Sequence, residues 1–151
     1  MNTLLSFRLR LLDLVGKLRK VSSIVVKKED KILIVKKPRE HHAWQFPQGG
    51  QEKEENALQA VKRELREECG SDLKIEFNIK PIGEYLYFFP KAFKRHRPGI
   101  KGAKVVFFTA QFKSGEVKIN PEELNNYKWV VKEELPEYFE GDYLEEVLKF
   151  L

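Results

Sequence analysis

The chain has 151 residues, of which 42% are hydrophobic and 34% are charged, and this balance suits one globular domain with a packed core. No apolar run reaches the length of a transmembrane helix, and the single cysteine excludes an internal disulfide and favours a reducing compartment. The formal net charge of +5 favours anionic partners such as nucleotides, RNA or a ribosomal surface.

Residues 1–20 differ in composition from the rest of the chain. They carry five basic side chains against the single acid Asp13, and their leucines recur at roughly helical spacing. A basic, leucine-rich and acid-poor start is typical of a mitochondrial targeting segment, and a docking helix is the alternative. The first interpretation predicts a protein of the mitochondrial matrix, and a cytoplasmic protein is the alternative. Residues 21–151 are predicted to form a single domain.

Two β-branched runs open this domain. They cover Val21–Lys28 and Lys31–Lys37, and they predict a hairpin that turns at Glu29 and Asp30. Pro38 ends the second strand, because proline has no N–H to donate to a neighbouring strand.

A helix follows the hairpin after a loop over His41–Gly50. The helix is predicted over Glu55–Cys69 with Gly70 as its C-cap. Further strands are predicted over Leu73–Ile79, Ile82–Phe89, Lys104–Phe112 and Tyr127–Val131. The remaining segments are a basic loop over Pro90–Gly102 and a helical tail over Glu133–Tyr138 and Asp142–Leu151, interrupted at Pro136 and Gly141. Strands with a helix between them predict an α/β sandwich around a mixed sheet.

Three glutamates of the predicted helix share one side. Glu64, Glu67 and Glu68 are spaced i, i+3 and i+4, which places their carboxylates together on a helix. Like charges at this spacing repel by about a few tenths of a kcal/mol per pair. Clustered oxygen ligands suit Mg²⁺ or Mn²⁺, and a bound cation removes the repulsion. The alternative is a solvated, charge-rich helix face.

A fixed framework surrounds these glutamates. Residues 49–71 fit the pattern G-x5-E-x7-R-E-U-x-E-E-x-G-U, where U is a bulky apolar residue, at eight of nine defined positions. The pattern is the Nudix signature, so the chain resembles the Nudix hydrolase superfamily. It departs from the pattern at Ser71, where an aliphatic residue is usual. The resemblance implies a Nudix-type α/β/α sandwich and an enzyme that hydrolyses phosphoric anhydrides.

The resemblance also implies roles for individual residues. It assigns the binding of Mg²⁺, with Mn²⁺ as the alternative ion, to the carboxylates of Glu64, Glu67 and Glu68 and to the main-chain carbonyl of Gly49. The same three glutamates are the catalytic candidates. It gives Arg63 and Glu55 a supporting role, because their ion pair holds the shape of the loop and helix.

A fourth catalytic candidate lies outside the signature. Glu123 precedes a strand of the form aromatic-x-Trp-Val, which starts at Tyr127. In many Nudix hydrolases a glutamate at this place faces the metal ions as a ligand or as the general base, and the resemblance leaves open which carboxylate is the base. The alternative is a loop acid after Pro121.

Substrate contacts are predicted in two places. The basic loop offers cations that suit phosphates or an RNA backbone. These are Lys91, Lys94, Arg95 and Arg97. Trp44 offers a ring that can stack on a base. The alternatives are a solvated loop and a core aromatic.

Two Nudix branches are resembled. The motif Trp44–Gly50, the basic loop and Glu123 are similar to RNA 5′-pyrophosphohydrolases and dinucleoside polyphosphate hydrolases, which implies a nucleotide or an RNA 5′ end as substrate. Residues 81–85, 102–108 and 129–135 resemble the Nudix-domain protein of the mitochondrial large ribosomal subunit, which implies a structural role there. The intact glutamates favour a Mg²⁺-dependent pyrophosphohydrolase acting on dinucleoside polyphosphates or 5′-triphosphate RNA. We expect a monomer or dimer without a membrane partner.

Overall fold

The structure is a computed structural model that describes residues 18–88 and 100–151. Within this part of the chain, eight strands form one mixed sheet. They are β1 (Leu18–Lys28), β2 (Lys31–Lys36), β3 (Trp44–Gln45), β4 (Gln48–Gly50), β5 (Lys74–Phe77), β6 (Gly83–Phe88), β7 (Gly102–Ser114) and β8 (Asn126–Val131). The helices are α1 (Ala57–Cys69), a 3-10 helix (Lys132–Glu137) and α2 (Gly141–Leu148). None of the described helices has both the length and the apolar content needed to cross a bilayer.

Strand β1 lies at the centre of the sheet. It pairs parallel with β7 and antiparallel with β2, and the main path of the sheet runs β3-β2-β1-β7-β5. Strand β4 adds to β1, β6 adds to β7, and β8 adds to β2. Val25 and Val26 of β1 are both fully buried. A strand covered on both faces requires such a continuous apolar run, and the β-branched segment of the sequence supplies it.

The two faces of the sheet carry separate cores, because successive side chains of a strand point to opposite faces. On one face, called the α1 face, strand residues pack against helix α1, as in Ile24, Val26, Val61 and Leu65. On the other, called the α2 face, strand residues pack against the C-terminal helices, as in Val21, Val25, Leu135 and Val147. The predicted α/β/α sandwich with a mixed sheet is therefore confirmed.

The hairpin and the central helix are confirmed, with shifted ends. Strand β1 begins at Leu18 instead of Val21, because its parallel pairing with β7 extends back to Leu18 opposite Gly102. The last three residues of the predicted N-terminal segment, 18–20, therefore belong to the sheet. Residues 1–17 of that segment lie outside the described part of the chain.

The predicted loop over His41–Gly50 contains two short strands. Strand β3 pairs with β2 and strand β4 pairs with β1. Helix α1 starts at Ala57, two residues after the predicted start. The side chain of Asn56 accepts from the main-chain N–H of Gln59 at 2.8 Å, and the side chain of Gln59 accepts from the main-chain N–H of Asn56 at 2.9 Å. This capping box fixes the first turn and leaves Glu55 outside the helix.

A candidate active site where helix α1 meets the sheet

The three glutamates of α1 lie in different environments. The relative exposure of the side chain is 47% for Glu67, 15% for Glu64 and 0% for Glu68. The helix places them together as the spacing predicts, but only Glu67 faces mainly solvent. An ordinary solvated helix face does not contain a fully buried carboxylate, because removing a charged group from water costs on the order of several kcal/mol.

Glu68 is held against the sheet by two donors. Its Oε2 accepts from Lys37 Nζ at 2.8 Å, and its Oε1 accepts from the main-chain N–H of Gln48 at 2.9 Å. Burial raises the pKa of the Glu68 carboxyl, and the adjacent Lys37 ammonium opposes the rise. Glu68 is therefore fixed in position between the end of β2 and the start of β4.

Glu64 occupies space that only a glycine opposite it leaves open. A Cβ atom at Gly49 would lie 1.9 Å from Glu64 Cδ, so any larger residue at position 49 would displace the carboxylate. Burial raises the pKa of the Glu64 carboxyl. Arg63 opposes this rise, while the charges of Glu67 and Glu123 add to it.

Arg63 connects the loop before α1 to the glutamates. Its guanidinium donates to both oxygens of Glu55, at 2.7 and 2.9 Å, and to the main-chain carbonyl of Gly50 at 2.9 Å. It also donates to Glu64 at 2.8 Å and to Glu67 at 3.2 Å. The hydrogen bonds from Arg63 lower the pKa of Glu55 to about 2. The structure thus brings Arg63 and Glu55 together in a pair that ties the loop to the helix.

Glu123 reaches the same place from the loop before β8. The main-chain N–H of Asn120 donates to the carbonyl of Glu68 at 3.0 Å, and the N–H of Glu123 donates to the carbonyl of Asn120 at 3.0 Å. This turn docks Glu123 on α1. Among the described residues, Glu123 Oε2 is buried without a hydrogen-bond partner. A buried acceptor of this kind is rare in folded proteins unless a ligand or water completes it.

The cluster contains the oxygen ligands that a cation needs, but these ligands are not already gathered around one point. Within residues 18–88 and 100–151, no three histidine, cysteine, aspartate or glutamate side chains converge on one point. The reason lies in the internal cations, since Arg63 engages Glu64 and Glu67 while Lys37 engages Glu68. The donors fit a hard divalent ion, because they are all oxygens, one of them is buried without a partner, and Gly49 leaves room beside Glu64.

Trp44, a predicted substrate-binding residue, is not brought to this cluster. Trp44 is in register with Lys36 and packs on the α2 face, with its ring 5.2 Å from that of Tyr138. The register explains this position. Trp44 lies opposite Lys36 and shares its face of the sheet, whereas the next residue, Lys37, points to the opposite face and contacts Glu68. The basic residues of the predicted substrate loop lie outside the described part of the chain: Lys91, Lys94, Arg95 and Arg97.

Sequence reasoning missed Lys37 and Gln48. A signal for Lys37 was present, because it lies directly after β2 and two positions after the buried Val35, the spacing of side chains on one face of a strand. Gln48 contacts Glu68 through its main-chain N–H, which no side-chain pattern can reveal.

Comparisons with known proteins agree with this site. The NUDIX domain family matches residues 16–149. An RNA pyrophosphohydrolase from Hydrogenovibrio crunogenus is 36% identical over 131 residues, covering 80% of this chain and 77% of that protein. The large ribosomal subunit protein mL46 from Bos taurus is 33% identical over 122 residues, covering 80% of this chain but only 43% of that protein.

A solved structure shares the architecture. The E. coli dihydroneopterin triphosphate pyrophosphohydrolase superposes with a TM-score of 0.68 over 88% of this chain and 96% of that chain, at 18% identity. At this identity the likeness shows the fold. The mixed α/β/α sandwich with its loop–helix carboxylates defines the class as a Nudix-fold hydrolase. With almost its whole described length inside the matched domain, the chain belongs to the Nudix family.

Proposed function

We propose that the chain is a Mg²⁺-dependent pyrophosphohydrolase that cleaves a diphosphate linkage in a nucleoside polyphosphate derivative. The observation that carries the proposal is the carboxylate set around α1, in which Glu68 is fully buried and Glu123 has an unpartnered oxygen. Carboxylates held in a buried cluster contribute little to apolar packing, and such clusters are typical of sites that bind a cation. The likeness to an RNA pyrophosphohydrolase supports 5′-triphosphate RNA, and dinucleoside polyphosphates are the other substrate class proposed.

Mg²⁺, or Mn²⁺ in its place, would be held by carboxylates and a main-chain carbonyl, namely Glu64, Glu67, Glu68 and Gly49. When bound, it supplies neutralisation of charge on the phosphoryl oxygens. The chain's own residues orient this site, since Lys37 and Gln48 fix Glu68 and Arg63 fixes Glu64. Glu123 is proposed as a ligand or as the general base that accepts a proton from the attacking water.

Substrate phosphates are proposed to contact the basic side chains predicted between β6 and β7, because phosphate oxygens favour clustered lysine and arginine side chains. We do not include Trp44 in this group. Its ring packs on Tyr138, and Lys128 Nζ lies 5.8 Å from its centroid on the α2 face. A base stacked on Trp44 would therefore lie on the opposite side of the sheet from Glu68.

Turnover by the purified chain tests the proposal. The protein is incubated with Mg²⁺ or Mn²⁺ and either 5′-triphosphate RNA or a dinucleoside polyphosphate, and products are separated by chromatography. Addition of water across one anhydride bond of the RNA substrate yields a shorter 5′-phosphate end and a released phosphate species. Chelation of the cation should stop the reaction. Absence of turnover with every substrate and both cations, over a wide pH range, would refute the proposed activity.

A second candidate function is a structural role in the mitochondrial large ribosomal subunit. The likeness to mL46 over 80% of this chain favours it, as does the net charge of +5. This role would place the protein in the mitochondrial matrix, with the cytoplasm as the alternative for a free enzyme. Tagged protein should sediment with large subunits from isolated mitochondria. Failure to co-sediment at low salt would contradict this role without affecting the catalytic proposal.

A further inference from the structure

Two neighbouring serines of β1 differ in their hydrogen bonding. Ser22 and Ser23 are both 0% exposed. Ser23 Oγ donates to the main-chain carbonyl of Pro47 at 3.4 Å. Ser22 Oγ has no partner among the residues that the structure describes. A buried hydroxyl without a partner destabilises a folded protein, so a serine at position 22 has to be explained by something other than protein stability.

Ser22 lies beside the carboxylate of Glu64. It is in register with Gly49, and directly opposed residues of antiparallel strands place their Cβ positions about 4.5–5.5 Å apart on the same face. The Cβ position of Gly49 falls 1.9 Å from Glu64 Cδ, so the carboxylate fills the place next to Ser22. Ile24, two residues along on the same face, packs in the core that includes Val61 of α1.

A second unpartnered group lies near enough to Glu64 for its charge to act on that carboxylate. Glu123 Oε2 is buried without a hydrogen-bond partner in the described residues, and the charge of Glu123 acts on Glu64. Ser22 comes from β1, whereas Glu123 comes from the loop before β8. Two separate segments thus each leave a buried polar atom without a partner in the neighbourhood of Glu64, which favours a polar ligand that completes them.

We propose that Ser22 is a positioning residue of the cation site, whose hydroxyl binds a water molecule of a hydrated divalent cation held by Glu64. The proposal rests on the cation binding in the proposed function and adds a residue outside the Nudix signature. Mg²⁺ gives up its water shell reluctantly and keeps several waters in protein sites, and each of these waters needs an acceptor or donor nearby. A hydroxyl both donates and accepts, so Ser22 suits such a water.

Mn²⁺ binding to the full chain tests this role without reference to catalysis. Free Mn²⁺ is counted by electron paramagnetic resonance during a titration, and the thermal midpoint of the cation-free protein is measured in parallel. We expect Ser22→Ala to weaken Mn²⁺ binding about fivefold, the worth of one ordinary hydrogen bond. Its cation-free thermal midpoint should stay the same or rise, because the hydroxyl has no protein partner to lose.

Ser23→Ala is the matched control, equally buried and one residue away on the other face. It should lower the cation-free midpoint, since it removes the bond to Pro47, and leave Mn²⁺ affinity unchanged. Ser22→Thr retains the hydroxyl and should restore most of the affinity lost in Ser22→Ala. A positioning role predicts this rescue, whereas a purely structural role of the small side chain does not.

Equal Mn²⁺ affinity in Ser22→Ala and wild type would overturn the proposal, as would a Ser22→Ala protein that loses cation-free stability or does not fold. The result is separable from the proposed activity. Wild-type protein that binds Mn²⁺ but hydrolyses no anhydride would end the proposed activity and leave the role of Ser22 standing. Normal turnover by the wild type together with an unchanged Mn²⁺ affinity of Ser22→Ala would support the proposed activity and end the proposed role of Ser22.

Discussion

The α2 face and the α1 face of the same sheet are built on different principles. On the α2 face, aromatic rings interlock, with Phe46 5.0 Å from Phe139 and Phe139 5.0 Å from Tyr143. The buried hydroxyl of Tyr143 accepts from the main-chain N–H of Phe46 at 3.3 Å. Apolar contact therefore dominates this face, and the hydroxyls of Tyr143 and Ser23 within it are hydrogen bonded.

The α1 face combines an apolar core with charges at one end. Val61 and Leu65 pack against the sheet, while Glu68 of the same helix is fully buried as a carboxylate. Ser22 Oγ and Glu123 Oε2 lack partners within the described chain. Groups of this kind cost stability, and proteins keep them mainly where they serve binding or catalysis. The comparison teaches that both faces hold the fold together through apolar cores, whereas the α1 face also carries the buried carboxylates proposed to bind the cation.

The largest expected effect concerns the stability of the α2 face. Phe46→Ala should lower the free energy of unfolding by about 3–5 kcal/mol, because it removes a fully buried ring from the aromatic cluster. Chemical denaturation measures the change. Phe88→Ala is the control, since that ring is 50% exposed and its loss should change stability by less than about 1 kcal/mol. Similar losses in the two variants would contradict the division between the faces.

A comparable effect on catalysis is expected at the α1 face. Glu68→Gln and Glu67→Gln should each reduce turnover about hundredfold or more, equivalent to about 2.7 kcal/mol, while the fold stays intact. The amide keeps the size of the side chain but removes a charge that holds the cation. Glu145→Gln on the exposed side of α2 is the control. Wild-type rates in both variants, with unchanged thermal midpoints, would show that neither carboxylate holds a cation needed for turnover.

A smaller effect on stability should follow from loss of the Lys37 ammonium beside Glu68. Lys37→Met should lower the free energy of unfolding by about 1–3 kcal/mol near neutral pH, less than for a fully buried pair because Lys37 is 24% exposed. Burial already raises the pKa of Glu68, and loss of Lys37 should raise it further. The loss of stability should therefore shrink as the pH falls and the carboxyl takes up a proton, because a neutral carboxyl no longer needs the Lys37 ammonium.

Denaturation at pH 5 and pH 8 measures this change, and a double variant provides the control. Adding Glu68→Gln to Lys37→Met removes the uncompensated charge, so the double variant should be more stable at pH 8 than Lys37→Met alone. A deficit independent of pH, or equal in single and double variants, would mean that Lys37 contributes through packing and not through its charge.

The smallest expected effect concerns the predicted basic loop, which belongs to neither of the two faces compared above. Lys94→Ala with Arg95→Ala and Arg97→Ala should raise substrate KM several-fold, about 1 kcal/mol, and leave Mn²⁺ affinity unchanged. If the loop contacts RNA, each lost phosphate contact should lower the salt dependence of binding by about 0.9 in log–log slope. A triple variant equal to wild type in KM, RNA binding and sedimentation would show the loop to be merely solvated.

The sequence by itself determined the elements that depend on local pattern. The hairpin around Glu29, helix α1 and the mixed α/β/α sandwich followed from β-branched runs, helical spacing and the Nudix signature. The hairpin and the helix are encoded by neighbours a few residues apart, so periodicity reveals them, whereas the α/β/α arrangement is what the Nudix resemblance implies. The spacing of Glu64, Glu67 and Glu68 likewise determined their shared side of the helix, because residues three and four positions apart are neighbours on a helix surface.

Only the tertiary structure decided how each polar group is used. The register of β1 with β4 places Ser22 beside Glu64, and the turn at Asn120 docks Glu123 on α1. Likewise, the register of β2 with β3 separates Trp44 from the glutamates. These relations join residues far apart in the chain. A shift of one residue in pairing would move a side chain to the opposite face, and no local pattern in the sequence sets that register.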